Sequence, residues 1–107
     1  MDKPRQLKWT ERASADLEAI VRYTARRNPE AAGRIGRAIF AKVQILWEYP
    51  EIGGYLDELR DQGWRKLTYR RWKIIYTCRD ETIIIGRVWP AALGDADLSA
   101  PLPGEND

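Results

Sequence analysis

Between residues 64 and 76 aromatic and basic side chains interleave: Trp64, Arg65, Lys66, Tyr69, Arg70, Arg71, Trp72, Lys73 and Tyr76. Two kinds of chemistry suit such a stretch. The first is cleavage of RNA, in which one group takes the 2′-hydroxyl proton and another protonates the leaving oxygen. The chain has no histidine. The proton carriers open to it are Lys66 and Lys73 with lowered pKa, Tyr69 or Tyr76, or a carboxylate. Arg65, Arg70, Arg71 and Arg87 can only stabilise phosphate charge, because a guanidinium keeps its proton in a protein. The second chemistry is binding. Cations contact phosphates while aromatics stack on bases, and the same cations suit an acidic protein partner. A plain solvated strand face is the third reading of these cations. Trp72, Ile74, Tyr76 and Cys78 share one strand parity and are expected in the core. Trp64, Arg65, Arg70, Arg71 and Lys73 are the expected binding set, and Lys66, Lys73 and Arg87 the catalytic candidates.

Other chemistries drop out. Without histidine there is no His-based triad, His metal site or imidazole acid/base. Cys78 is the only cysteine, which excludes an intramolecular disulfide and a Cys-cluster zinc site. Inside an apolar run it reads as a small buried hydrophobe. Asp16 with Glu18, and Asp57 with Glu58, lack metal-ligand company and read as solvated faces. Gly53 and Gly54 are turn glycines, and no phosphate-loop pattern surrounds them. No metal and no cofactor is expected.

The elements that position these residues follow from periodicity. QLKWT at 6–10 alternates and predicts a short strand. Thr10 is a helix N-cap with Glu11 in the first turn. Ala13, Leu17, Ile20, Val21 and Thr24 form one stripe of a helix over 11–27, with Arg12, Asp16, Glu18, Arg22 and Arg26 on the other face. Asn28 and Pro29 break it, and Pro29 opens the next helix. That helix should run over 30–48 on Ala32, Ile35, Ile39, Val43 and Leu46, with Gly33 and Gly36 permitting a close helix–helix approach. A short connection makes the two an antiparallel hairpin. Residues 50–63 read as a connector. WRKLTY at 64–69, WKIIYTC at 72–78 and TIIIGRVW at 82–89 then alternate as strands. Arg70 with Arg71, and residues 79–81, are the turns, and Pro90 ends the last strand. Trp9 and Trp47 are expected core aromatics. The order β-α-α-β-β-β predicts a two-layer α+β fold, a helical hairpin on a small, mainly antiparallel sheet.

At 107 residues, 44% hydrophobic and 32% charged, the chain is long enough for one folded domain, expected over 1–93. The formal charge of +2 conceals a split. Residues 60–89 hold eight basic groups against three acidic ones, for +5, and residues 94–107 hold Asp95, Asp97, Glu105 and Asp107 and no cation, for −4. The acidic tail has no apolar periodicity and contains Pro101 and Pro103. It is expected to be partly disordered, and either to shield the basic face or to be inert. No apolar run approaches the ~20 residues of a membrane span, and MDKPRQLKW lacks the apolar core of a signal peptide. A cytoplasmic protein is expected.

Taken in order, several segments resemble the ParE/RelE superfamily of bacterial toxins from type II toxin–antitoxin modules. They are WTERASADLEAIVRYTARRNPEAAGRI at 9–35, YPEIGGY at 49–55, RKL at 65–67 and WKIIYTCRDETIIIGRVW at 72–89. Ala13, Asp16, Leu17 and Ile20 on the first helix, the connector ending in P-x-I-G and the R-x-L strand are more similar to ParE than to RelE. The resemblance implies a small toxin neutralised by a cognate antitoxin in a hetero-oligomer, a role in plasmid stabilisation, and no membrane. ParE-like members are associated with inhibition of DNA gyrase. RelE-like members cleave mRNA on the ribosome. The binding set of Trp64, Arg65, Arg70, Arg71 and Lys73 would then face the target or the antitoxin.

On that resemblance Lys66 stands where a RelE-like strand has a catalytic lysine, and Lys73 where it has an arginine. The position two before Lys66 is Trp64 rather than lysine. Many ParE-like chains read R-V-W-H-G-R-R at the end of the last strand. Here residues 87–93 read RVWPAAL, without the histidine and the following arginines. Three functions stay open: a ParE-like gyrase-directed toxin, a RelE-like ribosome-dependent endoribonuclease, and a non-toxic antitoxin-binding module of the same fold.

Overall fold

A computed structural model describes residues 3–93. The acidic tail, and the expectations placed on it, lie outside the described residues. The first strand is β1 (Gln6–Trp9), followed by helices α1 (Glu11–Ala25) and α2 (Pro29–Val43). Strands β2 (Gly54–Tyr55), β3 (Arg65–Tyr69), β4 (Trp72–Arg79) and β5 (Thr82–Pro90) complete the order. The strands form one sheet in the order β1-β5-β4-β3-β2. All neighbours are antiparallel except β1 and β5, which run parallel. The helical hairpin packs on this sheet, so the expected α+β architecture is the observed one.

Local chemistry sets the helix boundaries. The Thr10 hydroxyl accepts a hydrogen bond from the Ala13 N–H at 3.1 Å, and the Asn28 side chain accepts one from the Ala31 N–H at 3.1 Å. Asn28 is extended, as a residue before proline must be. The helix expected to end at 27 therefore stops at Ala25. The second helix, expected to reach 48, ends at Val43 and tightens into a 3-10 helix over Gln44–Trp47. Gly36 does permit close approach, since a Cβ there would lie 3.1 Å from Val21. Gly33 does not serve that purpose, because the side chain it faces is Arg37 of its own helix.

The core lies between hairpin and sheet, where Ala13, Ile39, Val43 and Leu46 meet Ile74, Tyr76, Ile83, Ile85 and Val88, all fully buried. Trp72 joins it, whereas Cys78 is half-buried. Trp9 and Trp47, expected in the core, are also only half-buried.

The connector is more structured than expected. Its Gly54 and Tyr55 pair with Lys66 and Arg65 as β2. A 3-10 helix over Asp57–Gln62 follows. It is tied to the sheet by the Thr77 hydroxyl donating to the Gly63 carbonyl and by Arg79 donating to that of Gln62. Gly53 is not a turn residue. A Cβ there would fall 2.5 Å from the Lys66 carbonyl oxygen and 2.8 Å from the Tyr76 ring, a backbone approach only glycine allows.

Candidate functional site

The basic block does not stay together. Arg87, a catalytic candidate whose strand position suggested a solvent-facing cation, is fully buried. Its Nε and Nη2 donate to the two carboxylate oxygens of Asp16, each at 2.8 Å. Asp16, read from sequence as solvated, is fully buried as well. The reason is the sheet edge. Strand β1 stops at Trp9, so the outer edge of β5 beyond Ile85 has no strand partner. The start of α1 replaces it. The Thr10 N–H donates to the Ile85 carbonyl, the Thr10 hydroxyl to the Gly86 carbonyl, and the Val88 N–H to Asp16 Oδ2 at 2.9 Å. A carboxylate thus completes a β ladder, and the bidentate guanidinium balances its charge. Arg87 stacks over Trp89 at 5.1 Å. It is a structural cation.

Trp64 and Arg65 are likewise less exposed than expected. On β5, Gly86 falls between the pairs Tyr76↔Ile85 and Ile75↔Arg87 and forms a bulge. The Trp64 ring lies there, 2.6 Å from where a Cβ of Gly86 would sit, with the Arg79 guanidinium 5.7 Å from its centre. Arg65 Nη1 donates to the carbonyls of Gly53 at 2.7 Å and Glu51 at 3.2 Å, and its guanidinium lies 4.0 Å over the Tyr55 ring. Both residues hold the connector to the sheet.

Tyr76 leaves the set of proton carriers. Its hydroxyl accepts from the Gly53 N–H and donates to the Pro50 carbonyl, both at 2.9 Å. Burial pushes its pKa up, against a smaller downward pull from the Gly53 N–H. Burial also pushes the Cys78 thiol up, so it stays protonated and is a poor nucleophile.

Two groups of cations remain. Lys66 pairs with Ile75 and Thr68 with Lys73, so the two lysines are diagonal neighbours on one sheet face, roughly 7–8 Å apart at the backbone. Arg70 and Arg71 form the exposed turn between β3 and β4. Arg70 has a positive φ of 55°, and its guanidinium lies 5.7 Å from the Tyr69 ring. Lys42 of α2 reaches the same ring at 6.0 Å. The sequence reading missed Lys42, because nothing local links α2 to this turn. Arg71 lies 6.0 Å from the Trp72 ring. No group of three or more His, Cys, Asp or Glu that could hold a metal ion occurs among the described residues.

A second feature, also unpredicted, lies on the helical side. A groove of about 820 Å³ opens between α1, α2 and the end of β1. Trp9, Leu17, Val21 and Phe40 give it an apolar lining, and Glu18, Arg22 and Arg37 edge it with charge. Phe40 is 50% exposed and stacks parallel to Trp9, with ring centres 6.3 Å apart. Both aromatics present surface that a partner's apolar side chains can cover.

Comparison with known proteins meets this geometry. No curated protein matches the chain by sequence. Among solved structures, a chain from the chromosomal ParDE toxin–antitoxin system of P. aeruginosa is similar with a TM-score of 0.70 and 28% identity. The match covers 79% of the present chain and 94% of that one. The family model described as the ParE toxin of the type II toxin–antitoxin system, parDE, matches residues 7–92, a span that takes in the hairpin, the connector, the sheet and the Asp16–Arg87 lock. The chain belongs to the ParE toxin family of type II toxin–antitoxin systems.

Proposed function

We propose that this toxin arrests growth by binding its target rather than cutting it, that the target is DNA gyrase, and that a cognate antitoxin neutralises it. It would act in the cytoplasm. One observation carries the reading: three of the eight groups that could move a proton or hold phosphate, two arginines and a tyrosine, are consumed by the fold. Arg87 is locked to Asp16, Tyr76 is hydrogen-bonded in the core, and Arg65 is bound to backbone carbonyls. The exposed Arg70 and Arg71 carry charge but exchange no proton. Resemblance to ParE-type chains supports gyrase as the target. The apolar groove at Trp9 and Phe40 suits the antitoxin, which would lay an amphipathic segment across it.

Expression without an antitoxin, with growth and plasmid supercoiling followed together, tests the proposal. Growth arrest with altered supercoiling is expected. Normal growth in cells holding soluble, folded protein would point instead to the non-toxic binding module.

A RelE-like endoribonuclease is the second reading, favoured by the diagonal Lys66 and Lys73. Primer extension on translated mRNA separates it from the first. Ribosome-dependent cuts that vanish in Lys66→Ala with Lys73→Ala would establish cleavage and remove the binding-only reading.

A further inference from the structure

We propose that the acidic segment 94–107 is an internal ligand for the exposed basic turn at Arg70 and Arg71, and that it competes there with any acidic partner. The contact concerns the binding surface of the function proposed above, but it is tested without a target. Its failure and the failure of that function are therefore separate results.

The path of the chain carries the inference. Strand β5 runs beside β4 so that Pro90 pairs with Trp72 and Trp89 with Lys73. Beyond it, the Ala91 N–H donates to the Arg71 carbonyl at 2.8 Å. The chain thus passes residue 91 already bonded to the basic turn. Asp95 and Asp97 follow four and six residues later. At ~3.4 Å per residue, even a fully extended chain keeps Asp97 within about 20 Å of Ala91. A tether this short sets an effective concentration in the millimolar range.

Charge selects the docking point. The segment carries four acidic groups and no cation. Elsewhere in the basic block, Arg87 is buried with Asp16, Arg65 and Arg79 donate to backbone carbonyls, Arg60 is ion-paired with Asp57, and Lys66 and Lys73 are half-buried on the sheet face. Arg70 and Arg71 differ, because both are exposed; Arg70 lies by the Tyr69 ring with only its Nε donating, to the Tyr69 hydroxyl at 3.3 Å, and Arg71 lies by the Trp72 ring. A guanidinium on an aromatic face keeps its outer N–H groups available for a carboxylate. An exposed pair of this kind is weak. Weakness suits a competitor, since a partner with a larger acidic surface can displace it.

The test uses the full ¹⁵N-labelled chain. The comparison is with the full-length variant Asp95→Asn, Asp97→Asn, Glu105→Gln, Asp107→Asn. Amide shift differences should cluster at residues 69–73 and at Lys42. They should disappear when both proteins are compared at about 1 M salt, where the screening length is about 3 Å. A spin label on Cys78→Ala, Ser99→Cys should cost the amides of residues 69–73 signal intensity, and the loss should reverse in the neutralised tail. If Cys78→Ala fails to fold, the label-free shift comparison decides. Shift differences confined to the tail itself, or label broadening that neutralisation leaves unchanged, overturn the inference.

Discussion

Asp16 is spaced at helical intervals from Ala13 and Ile20, and Arg87 interrupts the apolar run IIIGRVW. Each is a charge at a position whose neighbours are buried. Together they were a readable signal for a buried ion pair, although nothing local joins residues 71 positions apart. Breaking one half leaves the other charge buried and alone. Asp16→Asn should therefore cost about 3–5 kcal/mol, read as a lower urea midpoint at unchanged slope. Asp16→Leu combined with Arg87→Met should recover most of that loss, since an apolar pair removes both desolvation costs. The Val88 N–H loses its acceptor in the double variant, so recovery should stay incomplete.

Tyr76 and Cys78 give stability an alkaline limit. Both pKa values are raised in the fold by burial, so the folded state holds these protons more tightly than the unfolded chain does. Their contribution is fully present below the unfolded values, about 8.5 for a thiol and about 10 for a phenol. It is lost as pH rises through those values toward the folded ones. Thermal midpoints should begin to fall above about pH 8.5 and fall further above about pH 10. Tyr76→Phe should flatten the phenol's part of that fall while costing about 1–3 kcal/mol at neutral pH, because the buried Gly53 N–H loses its acceptor.

Among the elements, the hairpin and the three long strands were legible because each carries its own period. Helix stripes and capping residues announced α1 and α2, and alternation announced β3, β4 and β5. The short strand β2 and the connector's 3-10 helix were not legible. They are held by distant partners, Lys66 for one and Thr77 for the other, rather than by a pattern of their own. The turn at residues 80 and 81 shows the converse case. Asp80 and Glu81 both have positive φ, 51° and 63°, the geometry of a two-residue type I′ hairpin that prefers Asn-Gly. The sequence predicted the turn without its handedness. The double substitution Asp80→Asn, Glu81→Gly installs that preferred dipeptide and should relieve backbone strain. A gain of about 1 kcal/mol is expected, after a small loss from the exposed Arg5–Glu81 pair. Thermal unfolding of the double variant measures it.

Across the whole molecule two surfaces stand apart. The basic turn, with Lys42 beside it, lies at one end of the sheet, and the Trp9–Phe40 groove lies on the helical side. Only Arg70 and Arg71 of the first surface were legible, because a run of charge is visible in the sequence, whereas Lys42 comes from a distant helix. A groove depends on how two helices and a strand end meet. Phe40→Glu offers a direct check. The side chain is half exposed, so the fold should survive with little change in stability. Binding to the cognate antitoxin, measured by calorimetry, should weaken at least about tenfold, as expected when an aromatic anchor at an interface is lost. Unchanged affinity would place the antitoxin elsewhere.

The parallel pairing of β1 with β5 also has a consequence in time. Thr10 and Gly86 are 76 residues apart, and translation adds about 5–20 residues per second. The first strand therefore waits about 4–15 s for its partner to be synthesised. Until then Asp16 has no Arg87, the edge of the sheet does not exist, and α1 and α2 have no complete surface to cover. The scaffold that holds the basic turn and the groove is thus complete only late in synthesis, when β5 has been made.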